Sequence, residues 1–228
     1  MGKLYMVATP IGNLGDITLR ALEALKNADA IFAEDTRVTK KLLAHFEISQ
    51  RVFTYSEHSH RAALPAILRL LSEGKSVAVV SDAGTPGISD PGRRLIKEVA
   101  ARDSSFEIIP IPGPSALSAI ISLSDIDLRA FSFFGFPPHK KGREKFFRAL
   151  SPMGMPVILF ESPHRISRTL GDIERFLGNR YINIGRELTK LHEEVFRGAV
   201  SEAKECFSGS RARGEFVIII GDSFPSAG

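Results

Sequence analysis

The stretch from Val77 to Gly92, VAVVSDAGTPGISDPG, constrains the fold more than any other part of the chain. Four apolar residues, Val77 to Val80, run straight into a loop with two carboxylates, three glycines and two prolines. Glycine permits positive φ and close approach of the backbone to a ligand. Proline fixes φ and removes a donor. A loop restricted in this way holds one shape. Two other apolar segments end similarly, in Ala8-Thr-Pro-Ile-Gly-Asn-Leu-Gly-Asp16 and in Pro110-Ile-Pro-Gly-Pro-Ser115. Turns of this kind at strand ends are where open α/β sheets bind small molecules.

The pattern between these turns alternates. Strands are expected over residues 3–8, 30–33, 52–55, 77–80 and 107–111. Helices are expected over 17–28, after Arg37 through Leu42 and Leu43, and over 62–71 and 91–101, with Asp16 as the N-cap of the first and Leu19, Leu22 and Leu25 on its inner face. Alternation of this kind implies parallel βαβ units and a doubly wound sheet. The second half differs. Residues 114–122 read as a short helix and 163–177 as a longer one, with Pro163 in its first turn. Strands are expected over 131–136, 157–160, 180–186, 194–199 and 215–220. Little helix separates the last three, so hairpin pairing and a mixed sheet follow. The expectation is two α/β domains, residues 1–112 and 113–228, with a frayed tail from Phe224 to Gly228.

Composition narrows the class. With 228 residues and 43% hydrophobic content the chain can build a packed core. The single cysteine, Cys206, excludes an internal disulfide and multi-cysteine zinc sites; it reads as a small residue late in a helix. Thr9-Pro10-Ile11-Gly12 breaks the first apolar run before a signal peptide can form, and no apolar run reaches membrane-spanning length. A soluble cytoplasmic protein is expected. The formal net charge is only +4, but five Lys or Arg fall within the ten residues His139 to Arg148, opposed by Glu144 alone. Such a cluster neutralises phosphates or forms a solvated helix face.

The loops carry the candidate chemistry. Gly12-Asn-Leu-Gly15 lies between a strand and a helix but lacks the G-x-G-x-x-G spacing, and no Walker A sequence occurs. Asp82 and Asp90 suit the hydroxyls or amines of a neutral or cationic ligand, with Asp90 also placed as an N-cap. Glu161-Ser-Pro-His-Arg165 and Arg186 to Glu194 place charged groups at strand ends, His164 and His192 among them. No metal motif is present.

Taken together, these segments resemble the tetrapyrrole methylase superfamily, the class III S-adenosylmethionine-dependent methyltransferases, and within it the enzymes acting on small-subunit ribosomal RNA. The motifs are residues 9–16, Ala33-Glu-Asp-Thr-Arg37, residues 81–92, Ile111-Pro-Gly-Pro-Ser-Ala116, Gly135-Phe-Pro-Pro138, Glu161-Ser-Pro-His-Arg-Ile166, Arg186-Glu-Leu-Thr-Lys190 and Gly214-Glu-Phe-Val217. His139 stands where many relatives carry a basic residue.

The resemblance implies methyl transfer from S-adenosylmethionine to the ribose 2′-hydroxyl of a cytidine in 16S rRNA. It also implies two α/β domains with the cofactor between them, and a homodimer. The cofactor contacts it implies are Leu14, Asp82, Ala83, Gly84, Ile88, Ser89, Asp90, Ser115, Ala116, Phe160, Leu188 and Glu215. The catalytic candidates are Asp35, Arg37, Glu161, Glu187 and Lys190, with His192 as a further proton acceptor. Lys140, Lys141, Arg143, Lys145 and Arg148 would dock RNA, in the free transcript or the small subunit. A same-fold methyltransferase acting on a tetrapyrrole or a protein side chain is the alternative, and a non-catalytic binding module is a third reading.

Overall fold

The computed structural model describes residues 1–90 and 92–222; the tail expected to fray lies outside the described residues. The chain forms two compact units, Met1–Ser115 and the part from Ala116 onward.

The first unit contains β1 (Lys3–Val7), α1 (Leu19–Asn27), β2 (Ala30–Ala33), α2 (Thr36–His45), β3 (Val52–Thr54), α3 (His60–Ser72), β4 (Ser76–Val80), α4 (Gly92–Arg102) and β5 (Glu107–Ile111). Its strands lie in the order β3-β2-β4-β1-β5 and all pair in parallel. Alternate residues of one strand point to opposite faces. Leu4, Met6, Val77 and Val79 therefore pack with Ile67 and Leu71 of α3 and Leu95 and Val99 of α4. Val7, Ala78 and Val80 pack with Ala21 and Leu25 of α1 and Leu42 and Leu43 of α2 on the other face. Burial on both faces is why β4 reads as an unbroken apolar run. The helix after β4 covers one face and the helices after its neighbours β1 and β2 cover the other, which makes the carboxyl end of β4 a topological switch point.

The second unit contains α5 (Ala116–Ser122), β6 (Ser132–Phe133), α6 (Arg143–Leu150), β7 (Val157–Glu161), α7 (Ile166–Leu177), β8 (Tyr181–Arg186), β9 (Glu194–Ala199), α8 (Val200–Cys206) and β10 (Phe216–Ile220). The strand order is β6-β7-β10-β8-β9, with β6 and β7 parallel and the other pairs antiparallel. The mixed sheet thus takes the expected form. Its core joins Val157, Leu159, Ile182, Ile184, Ile218 and Ile220 to Phe147 of α6, Leu170 and Ile173 of α7, and Ala203 of α8.

Several local expectations fail for physical reasons. Thr18, not Asp16, caps α1: its side chain accepts from the Ala21 N–H, while Asp16 belongs to a preceding 3₁₀ turn. Leu19 is 85% exposed, and the inner face of α1 is built from Ala21, Ala24 and Leu25. Pro163 precedes α7, which starts only at Ile166. The expected strand over 131–136 shrinks to Ser132–Phe133, because Gly135 adopts φ 62°. Two further helices match weaker readings: α6 runs through the basic cluster, the helical alternative given for it, and α8, between β9 and β10, ends at Cys206, read as a residue late in a helix.

Candidate active site

The three Gly/Pro-rich turns converge at the carboxyl ends of β4, β1 and β5. Thr9 and Gly84 exchange backbone hydrogen bonds at 3.0 Å each, and the Thr9 hydroxyl donates to the Ser81 carbonyl at 3.2 Å. The Thr85 hydroxyl donates to the Pro114 carbonyl at 3.1 Å. Gly113 lies so close to Ala8 that an added Cβ would sit 3.0 Å from the Ala8 Cβ. The glycines therefore permit close contact between turns, and Gly84 and Gly87 also occupy positive φ. Ser89 takes φ 65°, a left-handed conformation that costs energy for a residue with a side chain and recurs at functional sites. Leu14, Ala83 and Ser89 are exposed, Gly84 is buried, and Ile88, Ser115 and Ala116 are half-buried.

Both aspartates of the β4 loop hold backbone. Asp90 Oδ1 accepts from the Gly87 and Gly92 N–H groups at 2.7 Å each, closing the loop on the start of α4. Asp82 Oδ1 accepts from the Asp35 N–H, also at 2.7 Å. Asp35 caps α2 through the Arg37 N–H and is gripped by the Arg37 guanidinium. Those bonds hold its pKa down to about 2.

Beside these groups lies a small open hollow lined by Glu34, Tyr55, Val79, Val80, Ser81, Pro86, Asp90 and Gly92. Partial burial raises the pKa of Glu34, and the charges of Asp82 and Asp90 push it the same way. Sequence reasoning did not single out Glu34, although it stands at the carboxyl end of a strand beside Asp35. Tyr55 was also missed. Its hydroxyl is 2.9 Å from Nδ1 of the buried His60, and burial raises its pKa to about 12.

In the second unit Glu161 is buried and held by three partners. Its Oε1 accepts from the Ser162 N–H at 2.7 Å and pairs with Arg165 at 2.7 Å, while Oε2 accepts from the Thr169 hydroxyl at 2.5 Å. Arg143 is only 3% exposed. It pairs with Asp172 at 2.7 Å and donates to the Thr169 hydroxyl at 2.7 Å and to the Pro138 carbonyl at 3.0 Å. Arg143 is thus a buried brace, and the expectation that it docks RNA is corrected. Arg148 is exposed but pairs with Glu144 at 2.8 Å. Lys140, Lys141 and Lys145 are exposed.

Glu187, Leu188, Thr189 and Lys190 form a tight turn after β8. Glu187 and Thr189 both take positive φ, 51° and 69°. Glu187 Oε1 accepts from Lys190 Nζ at 2.8 Å and from the Glu215 N–H at 2.9 Å. Burial pushes the Glu187 carboxyl up, but these bonds and the charges of Lys190 and Arg186 outweigh it, and its pKa falls. Leu188 is buried, and Phe160, at the end of β7, is half-buried. His164 and His192 are exposed. Among the described residues no group of three or more His, Cys, Asp or Glu is placed to hold a metal ion, and no helix is long and apolar enough to cross a membrane.

The family described as Tetrapyrrole (Corrin/Porphyrin) Methylases matches residues 3–204, most of both units. The chain belongs to the tetrapyrrole methylase family. Among its relatives in that family, "Ribosomal RNA small subunit methyltransferase I" of Synechocystis is 44% identical, with 99% of this chain and 81% of the relative covered. The protein of the same name from Thermotoga maritima is 44% identical, over 96% of this chain and 98% of its own length. Solved methylase structures share the fold. Uroporphyrin-III-C-methyltransferase from Thermus thermophilus superposes with a TM-score of 0.67 at 20% identity, covering 97% of this chain and 95% of its own. A cobalt precorrin-4 methyltransferase gives 0.70 at 18% identity, covering 96% and 94%.

Proposed function

We propose that this protein transfers a methyl group from S-adenosylmethionine to the ribose 2′-hydroxyl of a cytidine in small-subunit ribosomal RNA. The observation that carries the reading is the 44% identity, over 99% of this chain, to a relative named for methylation of that RNA. The tetrapyrrole-acting neighbours share the fold at 20% identity or less, which supports architecture and not substrate.

The first unit suits a cationic cofactor. Glu34, Asp82 and Asp90 gather negative charge at the carboxyl end of β4, where the hollow lies. An added Cβ on Gly87 would meet nothing within 4 Å, so its backbone stays open to a ligand. Asp82, Asp90 and the backbone of residues 83–89 would hold the cofactor. When bound, it supplies a methyl group already activated by a sulfonium. The protein's remaining task is alignment and help for a weakly nucleophilic hydroxyl. Asp35 and Glu187 both have lowered pKa values, which suits accepting a hydrogen bond from a hydroxyl rather than keeping its proton. Glu161 is buried and already held by Ser162, Arg165 and Thr169, which suits a brace better than that role. Arg37 and Lys190 suit orienting a phosphate. A homodimer belongs to the same proposal and is read by light scattering.

The test is transfer of label from radiolabelled S-adenosylmethionine to small subunits that lack the modification. Label in the RNA supports the reading. Label entering only protein or a tetrapyrrole refutes it.

A further inference from the structure

Three arginines grip three successive carbonyls in the second unit. Arg165 donates to Pro137 at 3.0 Å, Arg143 to Pro138 at 3.0 Å and Arg168 to His139 at 3.2 Å. Two of them are fixed in turn: Arg165 by the buried Glu161, and Arg143 by Asp172 and Thr169. The segment from Phe136 to Lys141 is therefore held rigid from beneath. What it leaves outside is one aromatic ring and a set of cations. Phe136 is 51% exposed. Its ring is edge-on to Phe160, with centroids 5.7 Å apart, and the Arg165 guanidinium lies 5.9 Å from its centroid. Lys140, Lys141 and Lys145 are exposed and have no ion-pair partner among the described residues.

We infer that this loop is a preformed platform for single-stranded RNA, with a base stacked on Phe136 and the flanking phosphates against Lys140 and Lys141. Single-stranded RNA is read by stacking unpaired bases on aromatic or guanidinium planes, with cations following the backbone. A protein partner would call for a broader apolar patch than the Phe134 and Phe136 rings beside three unpaired lysines. A rigid loop loses little freedom on binding, which adds affinity without adding contacts. The inference rests on the proposed RNA substrate and adds to it the residue that stacks.

The test measures anisotropy of a short fluorescein-labelled single-stranded RNA with the full chain across a salt series. Calorimetry with S-adenosylmethionine runs in parallel. F136A should weaken RNA binding roughly tenfold, with the salt slope unchanged, and F136Y should restore it. K140E/K141E should weaken binding and flatten the salt slope. Cofactor affinity should stay the same in all three variants. The platform is overturned if F136A binds RNA like the wild type, if it loses cofactor instead, or if it splits a dimer. In those cases the wild-type chain still binds and methylates RNA, and the proposed function stands. A wild-type chain that binds no RNA overturns both.

Discussion

Asp82 Oδ1 accepts a hydrogen bond from the Asp35 N–H at 2.7 Å, tying the loop after β4 to the start of α2 on the neighbouring strand β2. The bond uses only one carboxylate oxygen and does not require the charge. D82N keeps an acceptor oxygen and should melt like the wild type. D82A removes the acceptor of a solvent-exposed bond and should cost about 1 kcal/mol or less. Both remove the charge, so both should weaken S-adenosylmethionine binding in calorimetry. Wild-type affinity in D82N would show that the charge plays no part.

Asp90 accepts from two N–H groups at once and locks the loop to α4. D90A should lower stability by about 1–2 kcal/mol, the usual loss for a removed helix cap. D90N should recover most of that in a thermal melt. A D90A protein that melts at the wild-type temperature would contradict this capping role.

The pH dependence of cofactor binding follows from Glu34. Its pKa is raised, so the carboxyl takes up its charge at a higher pH than an ordinary glutamate. A cationic ligand prefers the charged form, so affinity should rise with pH through that window, and E34Q should flatten the profile. Asp35 has the opposite sign. Its depressed pKa adds stability that is present above its ordinary pKa and lost as pH falls toward about 2. Calorimetry from mildly acidic to neutral pH separates the two, because Asp35 stays ionised throughout.

Glu161 is buried among Ser162, Arg165 and Thr169. E161A leaves Arg165 without its partner and should cost about 3–5 kcal/mol, the usual penalty for breaking a buried pair. RNA affinity should fall with stability, because Arg165 and Thr169 support the loop at Pro137 and Pro138. If E161Q melts normally and loses only turnover, Glu161 is a catalytic base and not a brace.

The sheets were legible because a strand covered on both faces leaves a continuous apolar run, as Val77 to Val80 shows. The Gly/Pro turns were legible for a related reason, since close approach and positive φ restrict residue choice. The roles of the charged residues were much less legible. Arg143 and Lys141 belong to one basic run, yet one is a buried brace and the other faces water. That difference is set by Thr169 and Asp172, which are distant in sequence. Glu34 owes its raised pKa first to partial burial and then to Asp82 and Asp90, which the β2–β4 pairing brings near. Helix α6 stayed one of two readings because its charged face masked the apolar Phe147 and Leu150.

The decisive measurement is alkaline hydrolysis of ribosomal RNA labelled by the full chain with methyl-labelled S-adenosylmethionine. A 2′-O-methyl group blocks attack of that oxygen on the adjacent phosphate, so the labelled cytidine should survive in an alkali-resistant dinucleotide. Label released as an ordinary mononucleotide would place the methyl on a base and contradict ribose methylation. Absence of label from the RNA would contradict the RNA substrate itself.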